Sequence, residues 1–260
     1  MSLRKFCAAA ALGFAALAAV DQAAAQTFPP IQPGQTSYVI KPEEANGLII
    51  GTLYLPKDFT LKVDPGVRSI NWSVSVLKFD DGATIDLSAP EQQAAGGGDG
   101  GKPQPQGGYC TQGQAGQPGG NGAPGLSGVN LTISNLAPIN SQGTLWIKTD
   151  GQPGGNGGNG GDGQTGGGHK SVRAGLGGGG SCGAGGGGDP GRPGAGGAGG
   201  PTGKVTLIYA GQSQGTTPNT VLPNCGHSQR PDVPAGAIMI SGRPGCPGAS
   251  GRSGNHGHPG

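Results

Sequence analysis

The sequence predicts an all-β head, a small sandwich or solenoid-like stack of strand pairs, carrying a bundle of polyglycine II helices, with almost no α-helix in the mature chain. Three observations support this. Glycine recurs at every third position in four stretches: Gly113 to Gly128, Gly151 to Gly166, Gly185 to Gly203 and Gly242 to Gly260. A period of three with one bare face fits an extended left-handed helix of three residues per turn with no internal hydrogen bonds. Residues 38–87 read as short β runs split by turn signals. A two-strand unit then recurs, and each second strand runs directly into a glycine stretch.

Composition narrows the function classes. The 260 residues hold 60 glycines and 23 prolines, with 32% hydrophobic and 4% aromatic residues. No large apolar core can be made from the whole chain, so the core must sit in the strand-rich pieces. The net charge is +2, with dispersed Lys and Arg, which argues against nucleic acid as a partner. No long apolar segment of the mature chain points to a transmembrane span.

Residues 1–25 read as a secretory signal peptide. Arg4 and Lys5 form the charged start, Phe6 to Val20 the apolar stretch, and Ala23-Ala24-Ala25 the cleavage site. The expected location is extracellular or at the cell surface, with the periplasm as the other option. Export leaves Cys110, Cys182, Cys225 and Cys246, an even number in an oxidising compartment and hence two disulfides among three pairings.

In chain order, 26–36 is an extended Pro-rich arm, read as a linker because its prolines forbid a helix. The head comprises 37–95 with 129–150 and 204–241. Its first strands are Tyr38 to Ile40, Leu48 to Leu55, Phe59 to Val63, Ser69 to Phe79 and Ala83 to Leu87. In the repeat, Val74 to Phe79, Leu131 to Leu136 and Val205 to Ala210 are first strands, and Gly82-Ala83-Thr84-Ile85, Gly143-Thr144-Leu145-Trp146 and Gly236-Ala237-Ile238-Met239 open second strands. A strand pair cannot bury its face alone, so the units must stack.

The excursions 96–128, 151–203 and 242–260 form the bundle. The first two must return to the head and so form hairpins; the third needs one pass. At about 3.1 Å per residue a leg of ~15 to 18 residues reaches ~45 to 55 Å, giving a narrow bundle of about five or six helices. A collagen triple helix shares the glycine period, but the runs are short, strands interrupt them, and many triplets are Gly-Gly-X. In a single-chain bundle a second bare row has a use, because it admits another backbone. Gly151, Gly154, Gly157, Gly160, Gly163 and Gly166 are therefore placed in the interior, and 242–260 at the edge. Cys110 and Cys182 fall near the middles of their excursions, and Cys225 and Cys246 near the head. That placement favours Cys110 with Cys182 and Cys225 with Cys246, other connectivities staying open.

These Gly-X-X runs with paired cysteines resemble the polyglycine II bundle of the snow flea antifreeze protein, and the excursions resemble those of phage tail-tip adhesins. Bacterial proteins described as collagen-like share the composition. The resemblance covers about half the chain and implies architecture more than activity.

Individual motifs carry little chemistry. Gly96 to Lys102 imitates a phosphate loop, but Pro103 replaces the required Ser or Thr. Gly157 to Asp162 matches the start of a calcium nonapeptide, yet Gln164 stands where a large apolar residue belongs. His256 and His258 point to different faces at period three, Asp80 and Asp81 make a turn with Gly82, and Trp72 and Trp146 read as head packing. No catalytic residue, metal ligand or cofactor is assigned. The expected function is a secreted, non-catalytic structural or adhesive surface protein, whose partner is another copy of itself, in a homo-oligomer or extracellular filament, or else a cell-surface or glycan partner. The alternative is ice binding or other flat-surface recognition. An enzyme is the third reading, with carbohydrate processing the variant to test.

Overall fold

The computed structural model describes residues 27–101, 105–171, 180–211, 220–221, 224–227 and 238–260. The signal peptide read over 1–25, Lys102 and Pro103 of the phosphate-loop mimic, and Gly236 and Ala237 lie outside these residues.

Two parallel sheets face each other. The first holds β1 (Thr27–Phe28), β3 (Asn46–Leu55), β5 (Ser69–Phe79), β7 (Asn130–Leu136) and β11 (Val205–Tyr209) in that order. The second holds β2 (Ser37–Ile40), β4 (Thr60–Val63), β6 (Ala83–Asp86), β8 (Leu145–Lys148) and β13 (Ile238–Gly242), edged by β12 (Thr220–Val221). From β1 to β8 the chain alternates between the sheets, so each coil lays one strand on each and the next coil stacks beside it. Of the two expected forms, sandwich or solenoid-like stack, this is the solenoid: every pairing in both sheets is parallel.

Register converts sequence alternation into buried columns. In β5 the residues Ile70, Trp72 and Val74 point inward between Asn71 and Ser73. Leu61, Ile85, Ile147 and Ile240 are cross-strand partners through four coils, and Ile70, Leu131 and Val205 through three. All seven are buried. Stacking like on like is what lets coils of two to eleven residues per strand close a core that none could close alone.

The N-terminal arm differs from the expected linker. Thr27 and Phe28 pair with Thr52 and Leu53, and the Phe28 ring meets Tyr38 and Trp72 edge-on at 5.6 and 5.2 Å. Apolar Phe28 and Ile31 pack on the core, so the arm caps its own sheet instead of standing free. Trp72 donates its Nε1–H to Glu44 O at 2.7 Å, tying this end to the short helix Pro42–Glu44.

Tyr38 donates its hydroxyl proton to the Glu44 carboxylate. Burial, then this bond and the charge of Glu44, push the phenol up to about 12 from 10.0. The folded chain thus holds the proton at a pH where the unfolded chain releases it. The stabilisation is complete below pH 10 and disappears as pH rises through about 12. Tyr38→Phe is expected to flatten this alkaline decline in a melting-temperature series across that range, and an unchanged slope would refute the assignment.

Candidate functional site

The corners of the solenoid decide where the glycine stretches go. Between β2 and β3 the chain turns through Lys41 to Ala45, and between β4 and β5 through Asp64 to Arg68. At the same corner of the next two coils, after β6 and after β8, the chain runs out into the excursions and returns at β7 and β11. After β13 it runs out a third time. All the glycine segments therefore leave one corner.

The hydrogen-bond ladder of the second sheet continues into them without a break. Leu87 and Ala89 donate to Lys148 O and Asp150 O, and Thr149 and Gly151 donate to Ser241 O and Arg243 O, at 2.8 to 3.0 Å. The outgoing segments 94–101, 151–168 and 243–260 thus form one layer, extending β6, β8 and β13. The returning segments 111–128 and 185–203, which feed β7 and β11, form a second layer against it. The leg starts at Leu87, so residues 88–95, placed with the head from sequence, belong with the first outgoing segment: Ala94 already donates to Pro153 O at 2.9 Å.

Segment 151–168 has four neighbours. Gly151, Gly154, Gly157, Gly160, Gly163 and Gly166 donate to the carbonyls of Arg243, Cys246, Ala249, Arg252, Asn255 and His258. Gly155, Gly158 and Gly161 donate to Ala123, Gly120 and Gln117 of the first returning segment. Gly188, Gly191, Gly194 and Gly197 of the second donate back to Gln164, Gly161, Gly158 and Gly155. Gly97 and Gly100 donate to Asn156 O and Asn159 O at 2.8 and 2.6 Å. Each step is three residues. A Cβ at Gly157 would stand 2.1 Å from Gly194 O, and one at Gly155 1.9 Å from Ala95 O, so both rows are bare because backbone occupies the space. Among the described residues, segment 243–260 bonds along its length to 151–168 and 185–203, and at its root Gly226 donates to Pro244 O at 3.0 Å.

A second device is invisible to the glycine count. Where neighbours run parallel, Asn and Asp side chains accept the amides that the backbone ladder leaves over. Asp150, Asn156, Asn159 and Asp162 Oδ1 accept from Arg243, Ala249, Arg252 and Asn255 N–H at 2.6 to 2.9 Å. Asn121 does the same for Ala195, and Asp99 for Asn159. The only sequence signal is Asn or Asp recurring before Gly in the Gly-Gly-X triplets. Asn159→Ala is expected to cost about 1 kcal/mol and to speed hydrogen exchange at the Arg252 amide. Unchanged exchange there would remove the clamp from the account.

Two cysteine pairs stand at disulfide distance. Cys110 and Cys182 have Cα atoms 5.7 Å apart and join the two excursions, beside the small antiparallel pair β9 (Lys170–Ser171) and β10 (Ser181–Cys182). Cys225 and Cys246, 4.7 Å apart, tie the terminal segment near its root.

At that root lies a charge cluster around the buried Lys148 and Asp150. Lys148 Nζ lies 3.6 Å from Asp150 Oδ2 and 3.9 Å from Glu91, His227 Nδ1 lies 4.0 Å from Asp150 Oδ2, and Lys148 Nζ stands 6.0 Å over the Trp146 ring. Trp146 Nε1–H donates to Ser241 Oγ at 2.7 Å. Asp80 accepts from the Tyr54 hydroxyl; Asp86 accepts from Ser88 N–H. Among the described residues no group of three or more His, Cys, Asp or Glu could hold a metal ion, and no helix is long and apolar enough to cross a membrane. Comparison with protein-family models, curated proteins and solved structures finds no match.

Proposed function

We propose that this chain is a secreted, non-catalytic structural or adhesive surface protein, in which the solenoid head carries a stiff spacer of five polyglycine II helices. One observation supports this above the others: segment 151–168 is bonded backbone to backbone on four sides in steps of three. Such a lattice resists bending because every leg is held along its length. Its polar side chains serve the same end, since the carboxylates and carboxamides of Asp99, Asn156, Asn159 and Asp162 are engaged by backbone amides. Two cysteine pairs at bonding distance suit an oxidising compartment, as does the leader read over 1–25.

Immunogold labelling of intact producing cells, combined with negative-stain imaging of the purified mature protein, tests the reading. Surface label and a thin rigid projection from a compact head are the expected result. Label confined to the cytoplasm, or particles with no projection, would overturn it. Flat-surface recognition of the ice-binding type is the second reading, favoured by Asn71, Thr132 and Thr206, which stand in register across three strands. Freezing hysteresis of the mature protein decides that one.

A further inference from the structure

The corner opposite the bundle carries two adjoining depressions that share Tyr54. Strand order puts them there: they are built on the turns leading from the first sheet to the second, whereas the glycine segments leave the turns leading back. One depression, of about 600 Å³, is walled by Pro29, Pro30, Ile31, Pro33 and Pro56. The other, of about 450 Å³, is lined by Lys78, Asp80, Asp81, Asn140 and Gln142. Tyr54 stands between them, and its hydroxyl donates to Asp80 Oδ2 at 2.6 Å. That bond is the main cause of a phenol raised above its ordinary range.

We propose that this groove binds a neutral, extended oligosaccharide, lying across the coils with a sugar face on Tyr54. The proposal rests on the adhesive reading and names its target. The chemistry of each wall selects the ligand. The proline wall has no charged side chain and offers rigid C–H surface, which suits the apolar face of a pyranose and orders few rotors on binding. The second wall supplies carboxylates and carboxamides, the acceptors and donors that hydroxyl pairs require. Lys78 against Asp80 and Asp81 leaves a single negative charge, too little to capture a polycation and the wrong sign for a polyanion. Neither depression encloses a small molecule as a buried pocket does. A chain longer than either, bridging both across Tyr54, uses all of these surfaces at once.

Titration calorimetry of the mature protein with chitohexaose, cellohexaose, maltohexaose and a heparin hexasaccharide tests it. At least one of the three neutral hexasaccharides is expected to bind with a Kd of about 1 mM or tighter. Tyr54→Ala should weaken it at least about tenfold, a loss of ~1.4 kcal/mol, and Tyr54→Phe, which keeps the ring, should weaken it less. Exposed Asn140→Ala, which leaves Tyr54 and its bond in place, should weaken it about threefold and guards against a folding defect in the alanine variant at Tyr54. Binding of the heparin fragment alone, no binding at ~10 mM of any neutral hexasaccharide, or affinity indifferent to both alanine variants overturns the proposal. None of these failures touches the spacer, which surface labelling and imaging test separately.

Discussion

Replacing Gly158 with alanine is expected to break the bundle while the head stays folded. Gly158 donates to Gly120 O and accepts from Gly194 N–H, both at 2.8 Å, from two different segments. A third backbone fills the space where a side chain would go: a Cβ there would stand 2.0 Å from Gly98 O and 2.5 Å from Gly98 C. No flexible side-chain end can yield, so segment 94–101 must lift off, taking with it the bonds from Gly97 and Gly100 to Asn156 and Asn159. Overpacking against rigid backbone plus those losses amounts to about 3 kcal/mol or more. Gly98 provides the matched control, because a Cβ there meets nothing within 4 Å and its backbone is not in the left-handed region. Gly98→Ala should therefore stay within about 0.5 kcal/mol of the parent, or gain slightly through a less flexible unfolded chain. Hydrogen exchange at the Gly97, Gly120 and Gly194 amides, read against the Ile85 and Ile147 amides of the head, separates the two variants. Equal exchange in both would mean that the bare rows are compositional and that close approach is not their cause.

Much of this architecture was legible because its signals are short in range. Alternation marks β5 through Ile70, Trp72 and Val74, and the step of three marks the glycine rows. The parallel pairing of Ile85 with Ile147 across some sixty residues leaves no local trace, which is why alternation alone fits sandwich and solenoid equally. In the arm, Pro29, Pro30 and Pro33 exclude a helix and by themselves signal only a linker. What docks it is Phe28, whose partners Tyr38 and Trp72 are brought to it only by the closed coil. The boundary at 95 failed for a related reason. Residues 88–95 lack the glycine period, yet Ala89 and Ala94 already bond to the neighbouring segment, since an edge leg needs fewer bare positions than a surrounded one. Asn156 and Asn159 look like any polar spacer until the parallel neighbour supplies the amides of Ala249 and Arg252. The Tyr54 groove was invisible altogether, because it joins the arm, β3, β5 and the turn after β7.

The other large effect is expected at Asp150, where head and bundle meet. Its carboxylate is buried: Oδ1 accepts from Arg243 N–H at 2.8 Å, and Oδ2 faces Lys148 Nζ at 3.6 Å and His227 Nδ1 at 4.0 Å. Lys148 has a side chain only 11% exposed, and its other carboxylate, Glu91 at 3.9 Å, is 71% exposed. Asp150→Ala thus strands a buried ammonium with one solvent-screened partner and removes the acceptor at the start of the terminal segment. Breaking a buried pair on one side costs about 3 to 5 kcal/mol, whereas removing both charges can be close to neutral. The double variant Asp150→Ala with Lys148→Met should therefore recover most of the lost stability without restoring the bond to Arg243. Asp150→Asn, which keeps an acceptor for that amide, should protect the terminal segment better than alanine does. Denaturant midpoints measure the first contrast, and exchange at the Gly245 and Gly248 amides measures the second. If the double variant is no more stable than Asp150→Ala alone, the stranded Lys148 is not the source of the loss; if asparagine protects no better than alanine, the junction does not seat the terminal leg through Arg243.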